Sequence, residues 1–469
     1  MYRIYISSLL CLLLASGCGE DFLQTEPQQS ISIDGAVVDL TSLNASVNGL
    51  YNNLQDDNLY NWDMMIIPAV MSDNVYISSK NSGRYLQQDE YRTTPENGDY
   101  AGIWFDIYQH VVNASNVINN FPEAEFLDSE LAEADHRLGE AYAHRALGYW
   151  LGVKVFARPY NFTADGSHLG IPIVNGGTTG EIIEPGRNTV DEVYDAIISD
   201  FTTAIPLLSL EEDGRFTQEA AQALLAKVYL FKEDWTNAEA MASEVINSGK
   251  YTLYDETNWL DSWSQDFASE SLLEVINLPV DNPGVNSIGG IYDQNGYGDA
   301  LATEDLYNIY SETDVRRAAM TRGDRLDAER GALFVTAKFP KGELGEDNIK
   351  VIRLSEVYLI RAEARAELGD EPGARDDLNA VALRVDPSAS PITASGEALI
   401  DAIILERRKE LAFEGARFWD LVRRNMTWTK FRTLDIQFEV NWDRTETVAP
   451  IPQIELDVNP QMVQNEGYN

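Results

Sequence analysis

Glu406-Arg407-Arg408-Lys409-Glu410-Leu411-Ala412-Phe413-Glu414-Gly415-Ala416-Arg417-Phe418-Trp419-Asp420-Leu421-Val422-Arg423-Arg424 lies near the end of a 469-residue chain. Just upstream, Leu399, Ile400, Ile403 and Ile404 recur at helical spacing, and Leu411 carries that apolar stripe into the charged run, which predicts one helix. Glu406, Glu410 and Glu414 share a face, with Arg407 three residues before Glu410 and Arg417 three after Glu414, so opposite charges are expected to pair along the helix. Gly415 is the predicted break, and Phe418, Leu421 and Val422 begin a second amphipathic pattern. The expectation is a helical hairpin with charges near its seam.

Working outward, two further stretches have the same character. Thr217 opens a helix through Glu219–Leu230, a turn at Asp234-Trp235 and a second helix over Ala238–Ile246. Tyr358–Asp370 followed by Ala374–Leu383 repeats the arrangement, with Asp234 and Asp370 at equivalent turns and small alanines that allow close helix approach. These resemble tetratricopeptide units without meeting the full pattern, which leaves ordinary antiparallel helix pairing open. Earlier helices are predicted from Val37 to Leu54, from Ile103 and from Glu130 through Val155. Another starts at Thr189, where Glu192 stands at capping-box spacing.

Helical periodicity fails in two places. Residues 56–100 carry Tyr60, Trp62, Tyr76, Tyr85 and Tyr91 among breakers. Residues 251–350 carry Trp259, Trp263, Phe267, Tyr292, Tyr297, Tyr307 and Tyr310 among Gly, Asn, Asp and Pro, with strands predicted over Leu272–Val280 and Ala332–Phe339. Sugars present apolar C–H faces edged by hydroxyls, so a sugar binder needs exposed aromatic rings with polar neighbours. Loop placement makes Trp62, Tyr85, Tyr91, Trp259, Trp263, Tyr292 and Tyr297 the candidate stacking residues.

Charge narrows the ligand. The chain has 35 Lys and Arg against 76 Asp and Glu, a formal charge of −41, which disfavours nucleic acid, anionic lipid and anionic polysaccharide and favours a neutral ligand. At the N-terminus a short apolar run follows Arg3, and Ala15-Ser16-Gly17 precedes Cys18 in the manner of a lipoprotein signal peptide. Cys11 lies within the predicted signal, so residues 18 onward hold one cysteine, which excludes an internal disulfide and a multi-cysteine metal site.

The run Glu406–Arg424, the Tyr358–Asp370 stretch and the start Cys18-Gly19-Glu20-Asp21-Phe22-Leu23 together resemble the SusD/RagB family of nutrient-binding outer-membrane lipoproteins. The closing Ala449-Pro450-Ile451-Pro452, with Glu455, is similar to the family's tail. The resemblance implies a mainly α fold: a tetratricopeptide-like hairpin scaffold with loop-rich irregular inserts and a little β. The implied layout is a signal peptide over 1–17 and a lipidated Cys18 with tether over 18–36. An N-terminal part spans 37–250, a ligand-binding insert 251–350, and a C-terminal helical part and tail 351–469. It also implies a cell-surface protein anchored in the outer membrane at Cys18, and a SusC-like TonB-dependent barrel as partner. Ser72-Asp73-Asn74 matches a recurrent early segment of the family, and Asp73 and Arg84 are the candidate hydroxyl partners.

No reactive constellation accompanies these features. His136 and His144 are eight residues apart, with no HExxH pattern; Ser248-Gly249-Lys250 is a helix end and not a phosphate loop; no GxSxG or SxxK context stands out. No cofactor is expected, although so acidic a chain is compatible with a structural calcium ion. The reading is a non-enzymatic glycan-binding lipoprotein for a neutral glucan or fructan, a β-glucan such as laminarin being the specific choice. The alternatives are a peptide-binding family member and a tetratricopeptide-type assembly scaffold without its own ligand.

Overall fold

A computed structural model of the chain describes residues 37–176, 183–326, 329–433 and 436–468. The predicted signal segment, Cys18 and the acidic residues after it lie outside the described residues. The chain is 49% helix and 11% strand, a mainly α fold as the sequence predicts.

Helix α1 (Leu40–Leu54) is capped by Asp39, which accepts the Ser42 N–H. Helix α2 (Asp63–Met71) lies inside the stretch expected to be irregular. All nine of its residues are buried, and a helix apolar on every side has no periodicity to betray it. Then come α3 (Gly98–Asn120), α4 (Leu131–Phe156) and α5 (Val190–Ala204), the last with the Thr189–Glu192 capping box formed. The pair α6 (Gln218–Lys232) and α7 (Trp235–Ser248) is followed much later by α8 (Leu354–Glu367) and α9 (Glu371–Ala382). Asp234 and Asp370 are equivalent N-caps, accepting from the N–H of Asn237 and of Gly373. Helices α10 (Glu397–Glu410) and α11 (Arg417–Arg423) follow, and four short α-helices, Leu86–Asp89, Ile288–Tyr292, Glu304–Ile309 and Gln453–Val458, lie outside this scaffold among the described residues.

Each helix from α3 to α8 packs on its neighbour, α7 against α8 joining the two alanine-rich pairs, and α9 and α10 both pack on α8. Fully buried Ala220, Ala238, Ala242, Ala362 and Ala374 let these helices approach closely.

The α10–α11 hairpin departs from expectation in its charges. After Glu410 the chain turns through Phe413 and Gly415, both at φ +69°, and α11 packs on α2. Neither Arg407–Glu410 nor Glu414–Arg417 pairs among the described residues. Glu410 instead meets Arg353 at 2.6 Å, Arg384 at 2.7 Å and Arg316 at 2.8 Å. Glu406 meets Arg316 at 2.6 Å, Glu414 meets Arg353 at 2.7 Å, and Arg407 meets Asp420 at 3.0 Å. The run is a buried ionic hub and not a solvated ladder: charges taken out of water need several partners at once, and one side chain on the same helix cannot supply them.

Among the described residues eight strands form three sheets. Strands β1 (Val75–Ile77), β3 (Ala300–Ala302), β4 (Met320–Arg325) and β5 (Glu329–Val335) make an antiparallel sheet in the order β1-β3-β5-β4. Strand β2 (Ser271–Val275) pairs with β6 (Ile349–Arg353), and β7 (Thr427–Thr433) with β8 (Ile436–Asn441). The predicted strands are thus shorter or earlier than expected. The two aromatic inserts are stitched together by β1–β3, in which Ile77 faces Ala300 and Val75 faces Ala302.

Candidate functional site

Because β1 and β3 are antiparallel, the chain leaves β1 at the end where it enters β3. The Ser78 N–H donates to the Asp299 carbonyl at 2.8 Å, so loop 78–85 and loop 293–299 emerge side by side. Arg325, from β4, fastens them: its Nη2 donates to the Lys80 carbonyl (2.9 Å), the Tyr297 carbonyl (2.6 Å) and the Asp299 carboxylate (3.1 Å). Gly83 takes φ +102°, and Tyr85 is held at φ +54°, a conformation costly outside glycine. That bend separates two neighbours, leaving Arg84 partly exposed while Tyr85 is buried and donates to the Asp63 carboxylate at 2.6 Å. Burial, reinforced by Asp99, pushes the Asp63 carboxyl well above its ordinary range.

The Arg84 guanidinium lies 3.6 Å from the centre of the Tyr297 ring and 3.4 Å from Asp299 Oδ2, with Ser82 Oγ as a further partner. Tyr297 stacks on Trp62 at 5.6 Å with 14° between the ring planes, and Trp62 meets Tyr85 edge-on at 6.0 Å. The Tyr297 hydroxyl donates to Asn286 Oδ1 at 2.7 Å, whereas Trp62 Nε1 is buried without a hydrogen-bond partner. Ser82 partners Arg84 and Asn286 partners Tyr297, and both are exposed, as are Gln294 and Asn295 earlier in the Tyr297 loop. A planar cation over an aromatic ring, with a carboxylate, a hydroxyl and an amide beside it, suits a ligand with apolar faces and hydroxyl edges.

Of the nine residues singled out in the sequence, Trp62, Arg84, Tyr85 and Tyr297 come together here, Trp62 and Tyr85 as the buried floor. The other five are corrected. Trp259 and Trp263 pack edge-on at 5.6 Å in a small core with Tyr254, Ala319 and Val385, where Lys338 lies 4.7 Å from the Trp263 ring. Tyr292, wholly buried, stacks on Phe339 at 5.8 Å. Tyr91 is also wholly buried, donating its hydroxyl to the Met71 carbonyl. Rings with this much apolar area gain more from burial than from exposure, and here they pack into the interior. Asp73 is held by Arg417 through two contacts, at 2.8 and 2.9 Å, with Arg408 at 3.5 Å. Burial alone would raise its pKa, but the two guanidinium groups outweigh that and hold it below the ordinary range. It is an ion-pair anchor, not a hydroxyl partner. Asn286, Asp299 and Arg325 escaped sequence reasoning, since only the β1–β3 pairing brings them to Arg84.

A cleft of about 680 Å³ lies elsewhere, among α8–α11; it is lined by Glu367, Glu371, Asp401, Arg408 and Arg424 without an aromatic ring, so it offers no stacking surface. Among the described residues no group of three or more His, Cys, Asp or Glu could hold a metal ion. No described helix is long and apolar enough to cross a membrane.

Comparison with known proteins agrees along the chain. The model described as SusD family matches residues 254–468, and the one described as "Starch-binding associating with outer membrane" matches residues 21–230. A structure described as a putative sugar binding protein from Bacteroides vulgatus is 30% identical, with TM-score 0.85, over 92% of this chain and 100% of that one. A SusD superfamily protein from the same organism is 29% identical over the same shares, with TM-score 0.85. SusD-like protein P25 of Formosa agariphila is 25% identical over 96% of both chains. With scaffold, inserts and tail all matched, the chain belongs to the SusD/RagB family of non-catalytic, outer-membrane-associated binding proteins.

Proposed function

We propose that this protein captures a neutral oligosaccharide at the cell surface, on the platform formed by Arg84, Tyr297 and Trp62, and passes it to a SusC-like TonB-dependent outer-membrane barrel. The observation that carries the reading is the Arg84–Tyr297–Trp62 stack amid exposed amides. The sugar-binding description of the 30% identical relative and the starch-binding description of the matched N-terminal model support it. The charge of −41 favours a neutral ligand over alginate or sulfated glycans. Acylation of Cys18 tethers the protein to the outer membrane, and the helical scaffold faces the barrel.

Calorimetric titration of the mature protein against neutral glycans, headed by a β-glucan such as laminarin and including an α-glucan and a fructan, with alginate as the anionic control, tests this. Saturable heat with one neutral glycan and none with alginate is the expected result. Heat with alginate alone, or with no glycan at all, overturns it.

A further inference from the structure

A second feature lies among the scaffold helices, in a small, partly open cavity. A cavity of about 40 Å³ sits where α4, α6, β6, α10 and the turn into α11 meet, and its lining includes Lys154, Lys227, Lys350, Arg407, Glu414 and Trp419. Four of these six are cations, in a chain whose formal charge is −41.

The carboxylates nearby are already engaged. Glu356 pairs with Lys227 at 2.8 Å and with Arg407 at 3.4 Å; Asp420 takes the Arg407 Nε at 3.0 Å; Glu414 is held by Arg353 at 2.7 Å and by Lys338; Glu274 faces Lys350 at 3.7 Å. Two donors are left over. Arg407 is 1% exposed, and its Nη1 has no hydrogen-bond partner among the described residues. The Lys154 ammonium makes no ion pair among them either; the rings of Trp150 at 5.0 Å and Trp419 at 5.7 Å lie beside it, and Glu356 acts on it only through its field. Burial, then the neighbouring Lys227, pushes that ammonium down to about 7 against the opposing field of Glu356.

We propose that this cavity is a binding site for a small monovalent inorganic anion of the halide class, held between the Lys154 ammonium and the free Arg407 Nη1–H. One water needs roughly 10–15 Å³, so the space suits a single ion with little else and excludes a sugar. The acidity of the whole chain does not forbid this. Fields from surface carboxylates are screened over about 8 Å at physiological salt, whereas the buried Arg407 and the partly buried Lys154 act on an ion at short range, where screening is weaker. The bound ion joins α4 to α10 and stiffens the scaffold behind the ionic hub.

The test is anomalous scattering at the bromine edge from crystals of the mature protein grown in sodium bromide. Thermal melts in sodium chloride and in sodium gluconate at equal ionic strength accompany it, for the natural protein and for Lys154→Met. Expected are a bromide peak within hydrogen-bond distance of both Lys154 and Arg407, and a melting temperature higher by about 2 °C in chloride. Lys154→Met is expected to lose both. Bromide on surface lysines alone, or equal melting in the two salts, overturns the proposal. The bromide map of the natural protein needs no variant and decides the matter even where Lys154→Met does not fold.

Discussion

Arg84 lies with its guanidinium carbon 3.6 Å from the centre of the Tyr297 ring, although the two sit on loops from opposite inserts of the chain. The contact exists because β1 pairs with β3 and because Arg325 holds both loops by their carbonyls. Arg84 is partly exposed and Tyr297 packs at the edge of the core, so both side chains border the surface that a ligand would meet.

Tyr297→Ala and Arg84→Ala should therefore weaken glycan binding with little effect on stability. A lost stack with its cation is worth about 1–2 kcal/mol, or roughly 5- to 30-fold in Kd. Calorimetry with the glycan identified for the natural protein reads the loss. Unchanged affinity in both variants would place the site elsewhere.

Trp263→Ala should behave in the opposite way. Its ring is buried against Trp259 and beneath Lys338, so truncation should cost about 3–5 kcal/mol in urea unfolding while the folded fraction keeps its glycan affinity.

Glu410→Gln should be among the most damaging single changes. It leaves Arg353, Arg384 and Arg316 without their shared carboxylate, and breaking such a buried cluster costs about 3–5 kcal/mol. Glu304→Gln, at a pair with Arg322 that is nearly half exposed on both sides, should cost under about 1 kcal/mol. Denaturant midpoints of the two variants give the comparison directly.

Acidification should destabilise the fold through a buried histidine pair. His144 Nδ1 lies 3.3 Å from His110 Nε2, and burial lowers both, His110 to about 4. Below pH 6.5 the unfolded chain takes up a proton at His110 that the folded chain refuses until about pH 4, so stability falls as pH falls through that window. The fall approaches about 3 kcal/mol for His110 alone. Urea unfolding of the natural protein and of His110→Gln between pH 7.5 and 5 should show the variant's slope smaller by about one proton.

Cys18→Ala should shift the protein from the membrane fraction to the soluble fraction of cells, since several acyl chains supply the proposed anchor. Persistence in the membrane fraction would assign the attachment to a partner instead.

Much of this molecule was legible in its residues. The alanine-rich pairs, the equivalent caps Asp234 and Asp370, the Thr189–Glu192 box and the helical run around Glu406–Arg424 are encoded by neighbours three or four positions apart, where spacing alone decides what can meet. The family's fold followed from the same local signals. What the tertiary structure alone decided is partnership at a distance. An aromatic ring in a loop shows the same letters whether it floors a site, as Trp62 does, or fills a small core, as Trp259 does. A carboxylate such as Glu410 shows nothing of the three arginines that reach it from other elements. The candidate platform depends on a β1–β3 pairing between remote segments, because burial and ion pairing are set by which surfaces meet, a property that no window of sequence contains.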